Sequence, residues 1–369
     1  MTELDLVPMA VAPRMDRLRA SMDDAGTDAL LVTNLVNVRY LTGFTGSAAL
    51  LLVRPKGLLF VTDGRYRDQS ADQLAESGID ADIEVHTGAG QQEAITAAVA
   101  GAVRVGVEAD HVTTSQHQAF VTTWFPDAEV VLTVGLVAGL RRVKDAGELS
   151  RIGAACAVAD SAFDAVKVRL ADRPSERDFA LDLEFEMRRR GAEAVSFEPI
   201  VASGPNGAKP HARPGDRRIE PGELIVLDFG CKVDGYCSDM TRTVSVGEPP
   251  PEAQRMYDVV LESQEAGCAA VRAGAKASGV DRACREVIES AGWGDAFLHG
   301  TGHGVGLEIH EDPRVAATVG DTLAVGHVVT VEPGVYLAGR GGVRIEDTVA
   351  VTDGGCDVLT TSPKQLVLE

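Results

Sequence analysis

Leu224–Val246, LIVLDFGCKVDGYCSDMTRTVSV, is two β-type runs joined through an Asp-Gly pair. Asp234-Gly235 is a strong signal for a two-residue hairpin turn, whose central positions need positive φ. A turn there pairs Val233 with Tyr236 and fixes the partners further out, so that Asp228 lies opposite Thr241 and Asp239 opposite Gly230. Side chains alternate with period two, so Asp228 and Asp239 share one face as diagonal neighbours, roughly 7–8 Å apart at the backbone and within mutual reach of their carboxylates. Two carboxylates crowded on a buried face repel and shift each other's pKa, and a divalent cation between them removes the conflict. A lone aspartate more often faces solvent or caps a turn, so the reading rests on what else converges.

A second hairpin, Val328–Val351, VVTVEPGVYLAGRGGVRIEDTVAV, turns around Gly339 to Gly342 and carries Glu332 and Glu346, one per strand. Parity allows them to sit opposite each other, although the longer loop does not force it. Charged residues inside runs as apolar as VVTVE and VRIED are almost never buried unless paired or bound to metal. Between the hairpins lies His299–Glu311, HGTGHGVGLEIHE, rich in ligand-type side chains and in glycines that would spoil a helix. Four carboxylates and one imidazole make a hard, oxygen-rich set, suited to two divalent ions of the manganese, cobalt or zinc kind rather than to structural zinc.

The surroundings set the scale. A chain of 369 residues has room for two cores, since single cores stop growing at roughly 250 to 300 residues. From about Pro13 to Leu140 short β-type runs (DALLVT, AALLLV, GLLFVT, RVGVE) alternate with helical ones, which marks an α/β layer structure. No GxGxxG follows the first strand, so a dinucleotide fold has no support. The boundary is placed near Asp145, giving an amino-terminal domain over 1–144 and a second over 145–369. In the second, long amphipathic helices around 146–170, 175–190, 251–272 and 278–291 are interleaved with hairpins, which predicts an α+β domain with an antiparallel sheet. Ser175 followed by Asp178 resembles a capping box.

A formal charge of −20 disfavours nucleic acid and anionic membrane as partners. The start MTELDLVPMAVAPRM has no basic region followed by a long apolar one, and no apolar run approaches the roughly 20 residues of a membrane span. A cytoplasmic protein is expected. Six scattered cysteines without CxxC spacing suit reduced thiols.

The order Asp, Asp, His, Glu, Glu, carried by LDFG, SDMTRT, HGTGHGVGLEIHE, TVEPGVY and GVRIEDT, closely resembles the metallopeptidases of the pita-bread fold, the group of prolidase, aminopeptidase P and methionine aminopeptidase. The resemblance runs from about residue 146 to the end, and the α/β region resembles the smaller domain that precedes it in prolidase and aminopeptidase P. It implies that Asp228, Asp239, His303, Glu332 and Glu346 bind two divalent metal ions, manganese first, with Asp239 and Glu346 shared between them. Of the three histidines in HGTGHGVGLEIHE only His303 would then be a ligand, with Gly302, Gly304 and Gly306 permitting close approach of the backbone. His310, and His211 in SGPNGAKPHARP, match histidines that the family places beside the substrate. His299 matches one near the pocket of the proline-specific branch. His327 reads as structural, and His86, His111 and His117 have no partner motif.

The chemistry implied is attack by a hydroxide shared between the two ions, with Glu332 shuttling the proton and His211 and His310 donating to the developing charge. No GxSxG or paired reactive cysteine is present, in keeping with a reaction that needs no protein nucleophile. Arg344, two residues before Glu346, could pair with the metal carboxylates or meet a substrate carboxylate, and the pairing is favoured. Arg314, in HEDPRV, aligns with an arginine that some prolidases use near the substrate carboxyl end. The reading that follows is an exopeptidase cleaving before proline, in Xaa-Pro dipeptides first, with an aminopeptidase on longer Xaa-Pro peptides as the alternative. A creatinase-like amidinohydrolase or a non-catalytic peptide-binding member of the fold is disfavoured by the complete ligand set. The resemblance also implies a homodimer.

Overall fold

In the computed structural model, which describes residues 5–368, Asp234 and Gly235 take φ values of 43° and 77° and make the expected turn. The first four residues of the start quoted above lie outside the described residues. The chain divides into two compact units, residues 9–141, and residues 142–368 with residues 5–8.

The first unit holds β1 (Ala29–Val32), β2 (Ala49–Val53), β3 (Leu58–Thr62), β4 (Asp82–Val85), β5 (Arg104–Glu108) and β6 (Glu129–Thr133), in the order β4-β3-β2-β1-β5-β6. The sheet is mixed: β1-β2 and β2-β3 are antiparallel, while β3-β4, β1-β5 and β5-β6 are parallel. β1 and β3 are buried throughout, which is why they read as unbroken apolar runs. The edge strands β4 and β6 were not among the expected runs. Their sequences, DIEV and EVVLT, are partly exposed and carry too weak an apolar signal to stand out.

In the second unit Asp145 caps the helix Ala146–Val166 through a reciprocal contact with Glu148. Three more long helices span Glu176–Arg189, Pro251–Ala270 and Ala277–Ser290, and Ser175 Oγ accepts from Asp178 N at 3.0 Å at the start of the first of these. The strands are β7 (Ala194–Val195), β8 (Ile200–Ser203), β9 (Ile225–Phe229), β10 (Cys231–Val233), β11 (Tyr236–Cys237), β12 (Met240–Val246), β13 (Gly302–Gly304), β14 (Glu311–Val315), β15 (Val328–Val331), β16 (Gly334–Leu337), β17 (Gly341–Arg344), β18 (Asp347–Val351), β19 (Cys356–Val358) and β20 (Val367–Leu368). They form sheets ordered β11-β10-β7, β20-β12-β9-β8, β14-β13-β15-β18-β19 and β16-β17. All pairings are antiparallel except β12 with β20.

The register of the first hairpin is the one its turn dictates. Val233 pairs with Tyr236, Phe229 with Met240 and Asp228 with Thr241. On one face Ile225, Leu227, Phe229, Met240 and Val244 enter a core shared with Phe163, Phe179 and Leu183 of the first two helices. Burial of each large side chain is worth about 1.5–3 kcal/mol, and a one-residue slip would drive Asp228 into that core instead. The core therefore holds Asp228 and Asp239 on the opposite face. In the second hairpin Val331 pairs with Asp347 and Gly334 with Arg344. Glu332 and Glu346, between those pairs, are thus directly opposite, as parity allowed. Ile345 N reaches Pro333 O at 3.4 Å, which carries the ladder across the break.

The glycines around His303 stand where backbones approach closely. A Cβ on Gly302 would sit 2.0 Å from Thr330 O, and one on Gly304 2.5 Å from Asp312 O. They let β13 fit between β15 and β14.

Candidate metal centre

Asp228, Asp239 and Glu346 each offer a carboxylate oxygen within a cluster whose atoms all lie within 4.8 Å of one another. His303 Nε2 lies 3.5 Å from Asp239 Oδ2 and 3.5 Å from Glu332 Oε1. Asp239 therefore belongs to both groupings, the one with Asp228 and Glu346 and the one with His303 and Glu332. The two hairpins that supply the carboxylates are joined by Thr241 and Thr243: Glu346 N donates to Thr241 O at 3.1 Å, and Thr243 Oγ1 to Arg344 O at 2.8 Å.

The electrostatics of this cluster are those of a site short of positive charge. Burial first, then the surrounding carboxylates, pushes Asp239 and Glu346 well above the ordinary carboxylate range. Glu332 is pushed up to about 7, mainly by burial, with Arg344 opposing the shift and Asp228 adding to it. Burial pushes His303 down to about 3, so its imidazole is neutral near pH 7. Its Nδ1 faces the carbonyl of Gly304 at 3.0 Å. A carbonyl only accepts, so Nδ1 carries the proton and Nε2 presents a lone pair. That lone pair points at two carboxylate oxygens. Asp228 Oδ1 and Glu346 Oε1 are buried and have no hydrogen-bond partner among the described residues. Acceptors aimed at acceptors, with buried oxygens left unsatisfied, fit divalent cations and are costly without them.

Arg344 makes the pairing that was favoured for it. Its Nη2 lies 2.5 Å from Asp228 Oδ2, its Nε donates to Thr241 Oγ1 at 3.1 Å, and Thr241 Oγ1 donates to Glu346 Oε2 at 2.7 Å. Arg344 Nη1 also donates to Tyr336 Oη at 2.8 Å. His299 Nδ1 faces Gly300 O at 2.8 Å, which leaves Nε2 to accept the Tyr336 hydroxyl at 2.8 Å. His299 is thus tied to the carboxylates through Tyr336 and Arg344. Burial lowers it to about 4, so it is neutral.

The five donors, Arg344 and His299 line a cavity of about 680 Å³, together with His211, His310, Arg314, Pro210 and Ile309. The His310 ring stands edge-on to that of His303, centroids 4.4 Å apart, and burial with Arg314 and His211 nearby lowers its pKa. Each residue singled out for the site in the sequence reaches this one cavity. His327 does not line it; the ring is buried and accepts from Ala324 N at 3.3 Å. His86 pairs with Glu84, and His86, His111 and His117 join no metal-ligating group among the described residues. All six cysteines are free thiols. No helix among the described residues is long and apolar enough to cross a membrane.

Sequence reasoning missed Tyr336, Thr241 and Thr330. Thr330 Oγ1 accepts from His303 N at 3.1 Å and donates to Glu332 Oε1 at 3.2 Å, so it orients one donor from each of two strands. Tyr336 stood inside the motif TVEPGVY, four residues past Glu332. Strand parity would have placed it on the same face.

Residues 150–353 match Metallopeptidase family M24, and residues 14–143 match the Creatinase/Prolidase N-terminal domain. An uncharacterized peptidase of Bacillus subtilis, YqhT, is 39% identical over 96% of this chain and 99% of its own. The structure of an Xaa-Pro dipeptidase from Bacillus anthracis superposes with a TM-score of 0.92 at 41% identity, covering 96% of this chain and 99% of that one. An X-Pro aminopeptidase from Thermotoga maritima gives a TM-score of 0.87 at 34% identity, over 95% of this chain and 100% of its own. With matches of this extent, the chain is a metal-dependent peptidase that belongs to Metallopeptidase family M24.

Proposed function

We propose that this chain hydrolyses the peptide bond before proline, in Xaa-Pro dipeptides first, and that Asp228, Asp239, His303, Glu332 and Glu346 hold two divalent ions, manganese in the cell. The observation that carries the reading is the set of buried, unpartnered carboxylate oxygens, Asp228 Oδ1 and Glu346 Oε1, beside a lone-pair-bearing His303 Nε2 in a cavity that also presents His211, His310 and Arg314. Bound ions would supply a water acidic enough to react near neutral pH and positive charge for the oxyanion that forms from the scissile carbonyl.

The remaining work falls to side chains. Glu332 takes the proton of the attacking water on its carboxylate and returns it to the leaving nitrogen. His211 and His310 donate N–H groups to the carbonyl oxygen and to the nitrogen side as charge develops. Arg314, at the cavity wall, receives the carboxylate of a dipeptide, which is the feature that favours dipeptides over longer chains. Arg344 and Tyr336 hold Asp228 and His299 in place and do not touch the substrate.

Release of proline from Ala-Pro, compared with cleavage of Ala-Pro-Xaa tripeptides after reconstitution with manganese, cobalt or zinc, tests this reading. Faster turnover of the tripeptide would establish the aminopeptidase reading instead, the activity named for the Thermotoga maritima relative. We further place the enzyme in the cytoplasm as a homodimer, with the sequence boundary between its two domains near Asp145. The only metal-ligating cluster among the described residues lies in the second unit, which leaves the first for assembly. Light scattering that returned a monomer with full activity would remove the dimer from this account.

A further inference from the structure

Glu176, the first residue of the helix Glu176–Arg189, is fully buried. Its Oε1 accepts from Ser203 N at 2.8 Å and Ser203 Oγ at 2.8 Å. Asn206 Nδ2 reaches both carboxylate oxygens at 3.1 Å, and Gly215 N donates to Oε2 at 3.2 Å. A carboxylate, which only accepts, matches this ring of donors; no other side chain of that length does. Ser203 and Asn206 open the segment Ser203–Gly215, and Gly215 closes it.

That segment carries His211 to the cavity wall. No hydrogen bond among the described residues holds the His211 ring, so its position follows from its backbone. The backbone is fixed at three places. Glu176 holds the start and the end, the end being doubled by Arg177 N donating to Gly215 O at 3.0 Å. Arg344 Nη1 holds the middle, donating to Pro210 O at 3.2 Å beside His211.

We infer that Glu176 is a positioning residue for the reaction: one buried carboxylate closes the Ser203–Gly215 segment into a fixed loop and thereby sets where His211 meets the substrate. The inference rests on the proposed role of His211 as a donor to the reacting bond. Misplacement of a reacting group by about 1 Å can cost about a hundredfold in rate.

Glu176→Gln keeps the shape but turns a donating amide toward one set of donors, so the loop comes loose at one end. The expected result is a fall in kcat of about tenfold to a hundredfold, with metal content unchanged. On a His211→Ala background the same substitution costs no further rate, because the group it positions is gone. Asn206→Ala, which unties one donor and leaves the helix intact, gives a smaller loss with the same dependence on His211, and decides the matter if Glu176→Gln does not fold. Equal losses with and without His211, or no loss in either variant, would overturn the inference while leaving the role of His211 standing. Full activity of His211→Ala alone would overturn that role, and the inference with it.

Discussion

The guanidinium of Arg344 lies 2.5 Å from Asp228 Oδ2 and occupies that oxygen, while Asp228 Oδ1 stays buried without a partner. One carboxylate is thereby split into an anchored oxygen and a free one. Arg344, which holds Oδ2, is itself held by Thr241 and Tyr336, and Asp228 offers a carboxylate oxygen to the cluster with Asp239 and Glu346. Arg344, whose pairing with the carboxylates the sequence favoured over contact with a substrate carboxylate, is buried against Asp228.

Arg344→Met is expected to destabilise the metal-free protein by about 3 kcal/mol, the scale for removing one partner of a buried ion pair. Saturating manganese should shrink that loss, because bound cations restore positive charge to the cluster. Urea unfolding with and without the ion measures both numbers. An equal loss in the two conditions would mean that Arg344 stabilises the fold independently of the cluster.

Asp239→Asn and Glu346→Gln should each abolish turnover and lower the bound metal. Asp239 faces both groupings of donors, and Glu346 brings an unpartnered buried oxygen, so an amide at either position weakens the whole set. Elemental analysis of the purified variants reads the metal directly. Full turnover by the parent protein after exhaustive chelation would sink the assignment.

What could be read from the chain, and what could not, divides along the range of the interactions. The Asp234-Gly235 turn is local and its two residues specify its geometry, so the partners of Asp228 and Asp239 followed from counting. The three-residue loop between Leu337 and Gly341 has no such unique geometry, and only the parity of Glu332 and Glu346 was legible. Glu332 and Glu346 stood out because each lies in an apolar run, and the full set of five donors came with the family resemblance. Tyr336 and Thr241 could have been placed by parity and register, but Glu176 has its partners on other elements, and nothing near it in sequence names them. Glu176 and Ser203 are brought together only when the helix docks beside β8.

The metal-free protein should lose stability as pH rises from about 6.5 through about 7, the folded value of Glu332, and the gain in Tm on adding manganese should grow over the same window. Asp239, Glu346 and Glu332 have folded pKa values raised above their unfolded ones. Their contribution is present below the unfolded carboxylate range and is lost as pH rises through the folded values, which for Glu332 is about 7. His299, His303, His310 and His327 are shifted down and act in the opposite direction below the unfolded value of about 6.5, so the window begins above it. A Tm of the metal-free protein that climbs across this window would contradict the buried-carboxylate account.

Three of the histidines that line the cavity separate metal binding from chemistry. His303 presents a lone pair on Nε2 to Asp239 and Glu332, so His303→Ala should lose metal as well as rate. His211 and His310 line the cavity without joining that donor set, and alanine at either should leave the metal content at the parent level. If they donate to groups that gain charge only in the transition state, kcat and kcat/KM should fall together, by roughly the hundredfold to thousandfold lost with one oxyanion donor. A rise in KM with kcat unchanged would instead make them ground-state binding groups. Loss of metal from His310→Ala with retention in His303→Ala would place the ligand on the wrong side of the 4.4 Å ring contact between them.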